Sequence, residues 1–109
     1  MLVNQTNNLV LANQVNLATN FWRRFIGLSY RKELLPSTVL IFPDCQIIHM
    51  FFMRFPLGLI YLNRDKKVVE VVKNIKPWQI SPHVKEGYYL IEGHPEVTKK
   101  VKVGDLLSW

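Results

Sequence analysis

Apolar residues in this chain occur in short runs, separated by turn-forming residues at intervals of about ten residues. Several runs are rich in β-branched residues, and Asn, Asp, Gly or Pro stands between them. This pattern predicts strands for most of the chain. The clearest hairpin signal is Asn63-Arg64-Asp65-Lys66, which lies between two apolar runs. The predicted strands are Asn4–Ala12, Val15–Ala18, Thr38–Phe42, Leu57–Leu62, Lys67–Lys73, Tyr88–Glu92 and Leu106–Trp109.

The longest apolar run predicts a further strand over Cys45–Phe55. A strand with one face in water alternates polar and apolar residues, whereas this run is apolar at both parities apart from His49 and Arg54. We therefore expect a central strand that is covered on both faces. Pro56 then ends it, because proline cannot donate a ladder hydrogen bond.

One segment has helical spacing instead. Phe21, Phe25 and Leu28 lie at i, i+4 and i+7, and Thr19 or Asn20 can cap the helix that they indicate. No βαβ alternation is present in the sequence. The pattern as a whole predicts a mainly β fold, a compact antiparallel β-barrel or sandwich with one short α-helix, in a single domain over residues 1–109.

Composition and charge limit the cellular compartment and the kinds of partner that we expect. A single Cys among 109 residues cannot form an intramolecular disulfide, so we expect a cytoplasmic protein. Residues 1–22 carry no charged side chain and so lack the basic start of a secretory signal, and no run reaches the roughly 20 apolar residues of a membrane span. The net charge is +6, but its cations are scattered in short pairs. Nucleic acid and membrane are therefore not expected as partners.

The residue types used in catalysis do not form a convincing group. On a strand, Cys45 and His49 would lie about 13 Å apart, too far for a dyad, at a rise of roughly 3.3 Å per residue. We expect Cys45 to be a buried, inert residue. His83 and His94 lie in loops with no spacing that supports a metal site with His49. No catalytic residue, metal or cofactor is predicted.

Three residues are candidates for ligand binding instead. Arg54 ends the apolar run, and a guanidinium in such a position needs a carboxylate partner, a bound anion or solvent. His49 lies in the same run and could present its imidazole at the rim of the fold, although a core histidine is the simpler interpretation. Trp78 lies between prolines and could be a lid over the core or a ligand contact. Together they predict a weak site for a small carboxylate or phosphate.

Several segments, in order, resemble the uncharacterised prokaryotic family known as domain of unknown function 192. Arg24–Arg31 (RFIGLSYR) is similar to its R-x-x-G-L-M-x-R segment, and Ile48–Leu57 (IHMFFMRFPL) to its I-H-T-F-F-M-R-F-P-I-D segment. Leu62–Val69, Lys76–Trp78 and Val103–Leu106 continue the match. The resemblance covers most of the chain from residue 20 onward and implies a small β-dominated fold with a short helix and no assigned reaction.

This chain departs from that pattern at polar positions. Gly58 stands in place of an Asp, Met50 in place of a Thr and Ser29 in place of a Met, and 93–96 replaces a Leu-Pro-Ala-Gly-like turn. A polar site built on the Asp would be depleted here. We therefore expect a non-enzymatic small-ligand-binding or accessory domain, with a hydrolase-like or metal-assisted enzyme as the alternative. An interaction or oligomerisation module is the further alternative, and a homo-oligomer is compatible with the sequence.

Overall fold

The computed structural model describes residues 1–17, 37–46 and 56–109. The described residues form two β-sheets, one of three strands in the order β2-β1-β8 and one of five strands in the order β3-β4-β7-β5-β6. All neighbouring strands are antiparallel except β3 and β4, which are parallel. The strands are β1 (Leu2–Asn4), β2 (Leu9–Ala12), β3 (Gln14–Leu17), β4 (Thr38–Pro43), β5 (Leu57–Leu62), β6 (Val68–Ile75), β7 (Tyr89–Gly93) and β8 (Leu107–Ser108), and a 3₁₀ helix spans Pro95–Lys100.

The two sheets pack face to face, as in a sandwich. One face of the five-stranded sheet, called the first face here, contacts the three-stranded sheet and the 3₁₀ helix through a continuous apolar cluster. Alternate residues of each strand point to the same face of its sheet, so the apolar ones among them meet in this cluster together with those of the helix. Its members include Leu2, Leu11, Val39, Ile41, Ile60, Leu62, Ile91, Val97 and Leu107. The mainly β, sandwich-like fold predicted from the sequence is confirmed, and the sheets do not close into a barrel within the described residues.

The opposite face of the five-stranded sheet, the second face, is buried too. Its apolar cluster holds Phe42, Cys45, Leu57, Leu59, Tyr61, Ile75 and Leu90. All six residues of β5 are buried, which explains why LGLIYL is apolar at both parities. A strand buried on both faces was expected over Cys45–Phe55. The structure gives that character to β5, and Cys45 and Gln46 belong to no strand, while 47–55 lie outside the described residues.

The two ends of the chain are joined by a buried polar contact. The Asn4 side chain, fully buried, donates one hydrogen bond to Asp105 Oδ2 at 2.8 Å and another to the Lys100 carbonyl at 3.0 Å. Asp105 Oδ2 also accepts from the Lys102 N–H at 2.9 Å. The hydrogen bond from Asn4 and that from the Lys102 backbone lower the pKa of Asp105, because they stabilise its ionised form. This contact fixes β1 against the turn that leads into β8.

Several local expectations need correction. The single strand predicted over Asn4–Ala12 is interrupted, because residues 5–8 form a turn between β1 and β2 in which Asn8 has a φ of +60°. The strand predicted over Val15–Ala18 is β3, which begins one residue earlier at Gln14 and lies in a different sheet from β2. The predicted hairpin of β5 and β6 is confirmed. The 3₁₀ helix was not predicted, and the helix expected around Phe21–Leu28 falls outside the described residues.

Candidate functional site

A tight turn after β6 presents Trp78 to solvent. The Gln79 N–H donates to the Lys76 carbonyl at 3.2 Å, and the Lys76 N–H donates to Gln79 Oε1 at 2.8 Å. Pro77 occupies the second position of this turn and Trp78 the third, with a φ of +70°. Those positions are typical of a type II turn, whose third residue is normally Gly or Asn because a Cβ is disfavoured at positive φ. A bulky aromatic residue thus sits in a strained conformation while 61% of its surface remains exposed.

The segment that carries Trp78 is anchored at its far end as well. The Tyr61 hydroxyl on the second face donates to Ser81 Oγ at 2.7 Å, and Ser81 Oγ lies 3.2 Å from the Pro82 carbonyl. Burial raises the pKa of Tyr61 to about 12, since the phenolate would lose its water. Residues 76–81, called the Trp78 segment below, are therefore held by the Lys76–Gln79 turn at one end and by Tyr61 at the other.

The Trp78 segment leaves the sheet at the open end of the β5–β6 hairpin. Leu57 and Ile75 pair there as the first residue of β5 and the last residue of β6. Arg54 precedes Leu57 by three residues, and Trp78 follows Ile75 by three. Of the residues predicted to bind a ligand, the structure describes Trp78, while His49 and Arg54 lie outside the described residues.

Near the same end, the second face carries a carboxylate that was not among the residues predicted to form a site. Glu92 on β7 is only 3% exposed and pairs in register with Leu59 on β5 and Leu40 on β4. A carboxylate in such a place requires hydrogen bonds or a cation, because its desolvation is costly. A signal was present in the sequence, since the acid interrupts the apolar run YYLI. Only the fold shows that it is buried, one residue before the end of β7, from which the chain continues to the 3₁₀ helix.

Gly58 permits the close packing of the 3₁₀ helix at this end. A Cβ at position 58 would lie 2.5 Å from Thr98 Cγ2 and 3.1 Å from the Pro95 Cα. The first distance requires the Thr98 side chain or the helix to shift, and the second is tighter than most Cβ contacts. The Gly found here in place of the Asp of the related motif therefore has a packing reason. An aspartate at position 58 would require Thr98 to move.

The other candidate residues have ordinary contacts. His83 Nε2 lies 3.1 Å from Gln46 Oε1, beside the start of β7, while His94 Nδ1 accepts from the Glu96 N–H at 3.1 Å beyond its end. Cys45 is buried, as expected, and its backbone N–H donates to the Tyr88 carbonyl at 3.0 Å. No group of three or more His, Cys, Asp or Glu in the described part of the chain could hold a metal ion. The inertness of the Cys45 thiol stays a prediction.

Comparisons with known proteins place the chain in a family. The family model described as Uncharacterized ACR, COG1430 (DUF192) matches residues 2–109. The chain belongs to this family. The resemblance inferred from its motifs is therefore confirmed, and it extends through the N-terminal strands.

Relatives and a solved structure agree with the DUF192 assignment. A UPF0127 protein of Thermococcus kodakarensis is 34% identical over 115 residues, covering 100% of this chain and 73% of that protein. A UPF0127 protein of Pyrococcus furiosus is 34% identical over 116 residues, covering 99% and 97%. The crystal structure of a protein of unknown function from Novosphingobium aromaticivorans has a TM-score of 0.82 at 23% identity, covering 99% of this chain and 82% of that one. The last likeness concerns the fold alone.

Together these findings establish a small β-domain of the DUF192 family, whose description names no activity. In the part of the chain that the structure describes, no helix has the length and apolar character needed to cross a membrane.

Proposed function

We propose that this DUF192 protein is a non-enzymatic small-ligand-binding or accessory domain of the cytoplasm. Its ligand is a small carboxylate or phosphate, bound by Arg54 with His49 or Trp78 as neighbours. The observation that carries the proposal is the conformation of Trp78, which is both strained and 61% exposed.

Backbone strain of this kind supports a role in binding. A non-Gly residue in the left-handed region costs about 1–2 kcal/mol, and such residues cluster at ligand clamps and active sites. The strain at Trp78 is maintained by the paired hydrogen bonds of Lys76 and Gln79 and by the Tyr61–Ser81 anchor. A lid that only covered the core would be mostly buried, whereas 61% of Trp78 is exposed.

The alternative for Arg54 is a structural ion pair, for which Glu92 and Asp105 are the candidate carboxylates. Asp105 already accepts hydrogen bonds from Asn4 and Lys102 at the small sheet, which makes it the weaker candidate. Glu92 on the second face is the stronger one, because it is buried and its neighbour in β5 is Leu59. An Arg54–Glu92 pair would make the guanidinium structural, so the test must separate that pair from an anion site.

Titration with phosphate and with acetate, followed by NMR, provides the test. We expect saturable shifts of the Trp78 indole N–H in the parent and their loss in Arg54→Gln. Arg64→Gln is the matched control, because Arg64 lies over the Tyr88 ring at the opposite end of the hairpin, 4.6 Å from its centroid. This variant should keep the shifts.

Equal shifts in the parent and in Arg54→Gln would contradict the proposal. A double-mutant cycle of Arg54→Gln with Glu92→Gln completes the test. Coupling of the two changes in the free energy of unfolding, together with unchanged anion shifts, would assign Arg54 to a structural pair.

A further inference from the structure

We propose that the outer face of the three-stranded sheet binds a short acidic and apolar segment of a partner protein. The outer face is the side of this sheet that points away from the apolar cluster between the sheets, and it carries Val3, Val10, Leu106 and Lys67. Lys67 directly precedes β6, whereas the Trp78 segment follows it, so this surface is separate from the proposed anion site and does not rest on it.

The pairing of the strands places these side chains on one face. Val3 on β1 pairs in register with Val10 on β2 and with Ser108 on β8. Paired residues of neighbouring strands point to the same side of a sheet, as do alternate residues of one strand. Leu106 therefore lies on the side of Ser108. Its antiparallel bridge to Lys67 adds that lysine to the same face.

The apolar members of the outer face are accessible to solvent. Val10 is 42% exposed and Leu106 is 47% exposed, while Val3 is half-buried. A sheet face in contact with water normally carries polar side chains, because alternation directs the apolar ones to the core. Val103, which is 64% exposed in the turn before β8, adds further apolar surface. Apolar residues grouped on such a face indicate contact with another molecule.

The outer face is small, which limits what can cover it. Its strands contain three, four and two residues. At about 3.3 Å per residue and about 4.8 Å between strands, the face measures roughly 10 by 14 Å. A stable interface between two proteins buries about 800 Å² on each of them. The outer face therefore matches a segment of a few residues better than a second copy of this chain.

Charge indicates the chemistry of that segment. Residues 1–17, which include β1 and β2, contain no Asp, Glu, Lys or Arg. Lys67 and Lys102 are exposed beside these uncharged strands. Lys67 forms no ion pair within the described residues, although Asp65 and Glu70 are close to it in sequence. A second copy would bring the same uncharged strands and lysines, whereas carboxylates on a partner segment would complement the lysines.

NMR titration with synthetic peptides tests this surface. The acidic peptide has Leu, Val, Glu and Glu at alternate positions with Ser between them, so one side of the extended chain carries all four side chains. In the matched neutral peptide, Gln replaces both Glu residues. We expect saturable shifts of the Val3 and Val10 amides, with the acidic peptide bound about fivefold more tightly than the neutral one.

Two pairs of variants at exposed positions locate the contact. Lys67→Glu should remove the preference for the acidic peptide and create a preference for a peptide with Lys at the Glu positions. Lys73→Glu is its control, because Lys73 is exposed near the other end of β6, and it should keep the parent preference. Val10→Ser should weaken binding of the acidic peptide about threefold. Leu17→Ser should not, since Leu17 is 62% exposed on β3 of the other sheet.

Other outcomes would overturn the proposal. Equal affinity for the acidic and neutral peptides would do so, as would the absence of shifts in the outer face up to about 5 mM peptide. Shifts of Val3 and Val10 that depend on protein concentration, with a dimer in analytical ultracentrifugation, would assign the face to a second copy. Lys67-dependent binding to phosphatidylglycerol vesicles, without peptide binding, would assign it to a membrane surface.

Discussion

The two ends of the five-stranded sheet each carry a tryptophan, and the two are held in opposite ways. At the end formed by the hairpin tip, Trp109 packs edge-on against Tyr89 at 5.0 Å, and the Lys66 ammonium lies 4.1 Å from its ring centroid. At the open end, Trp78 is more than half exposed on a turn whose backbone disfavours any side chain. Trp109 is thus half-buried against an aromatic ring and a cation, whereas Trp78 is mostly exposed.

The difference shows which aromatic residue stabilises the fold. Packing around Trp109 continues through Tyr89 to Tyr88, whose rings meet edge-on at 4.8 Å, and Arg64 lies over Tyr88. Such edge-on and cation–π contacts each contribute on the order of 1 kcal/mol to stability. At the open end, hydrogen bonds of Lys76, Gln79 and Ser81 position Trp78 while its backbone conformation opposes folding. We infer that the first end is structural and the second is functional.

The substitution with the largest expected effect tests whether the 3₁₀ helix is fixed in place against the open end of the sheet. Gly58→Asp should lower the free energy of unfolding by about 3 kcal/mol, because its Cβ would collide with Thr98 and the carboxylate would be buried. Urea unfolding followed by circular dichroism measures the loss. Gly58→Ala should cost less, and adding Thr98→Ser, which removes the colliding methyl group, should restore part of that loss. A stable Gly58→Asp variant would show that the 3₁₀ helix is free to move.

Next in size is the removal of the enclosed ring. Trp109→Ala should destabilise the protein by about 2 kcal/mol, since it removes the contacts with Tyr89 and Lys66 and half-buried apolar surface. Thermal and urea unfolding give the value. Lys66→Gln should cost only about 0.5 kcal/mol, because its ammonium is partly hydrated. If Trp109→Ala and Trp78→Ala were equally stable, the two ends would not differ as described.

A smaller effect concerns the anchor of the Trp78 segment. Tyr61→Phe removes the hydrogen bond to Ser81 and should cost about 1 kcal/mol at pH 8, with faster amide exchange in residues 76–81. The folded pKa of Tyr61 is raised to about 12 from 10.0, so its contribution to stability is present below pH 10 and is lost as the pH rises through 12. By pH 11 this loss amounts to about 1 kcal/mol in the parent and is absent from the variant.

The parent and Tyr61→Phe should therefore become nearly equal in stability near pH 11. The free energies of unfolding of the two proteins are measured with the same denaturant at pH 8 and at pH 11. The other titrating groups contribute equally to both proteins, so their effects cancel in the difference. A difference that stayed constant with pH would mean that Tyr61 ionises as freely in the folded protein as in the unfolded one.

Much of the sheet was predictable because turn residues and apolar runs alternate along the chain. The β5–β6 hairpin was readable from Asn63–Lys66, whose Asn63 side chain accepts from the Asp65 and Lys67 N–H groups at 3.0 Å in each case. The 3₁₀ helix was not predicted, and its close packing on the sheet depends on Gly58, about forty residues earlier in the sequence, which a local pattern does not reveal. The division of Leu9–Ala12 and Gln14–Leu17 between two sheets likewise depends on which partners the strands find, not on their own pattern.

The candidate site was predictable only in part. Trp78 could be singled out from its prolines, but its positive φ and exposure required the fold. Glu92 and the Tyr61–Ser81 anchor come from segments far apart in sequence, and local patterns do not reveal such convergence. The anion-binding role of Arg54, with His49 beside it, stays a prediction.

The most direct test of the account is the free energy of unfolding of Trp78→Gly relative to the parent. Glycine normally destabilises a folded chain by up to about 1 kcal/mol, but at positive φ it relieves about 1–2 kcal/mol of strain. If Trp78 is displayed for a ligand, Trp78→Gly should be as stable as the parent or more stable by about 1 kcal/mol. A loss of about 2 kcal/mol or more would mean that the indole ring supports the core, and Trp78 would then be a structural lid.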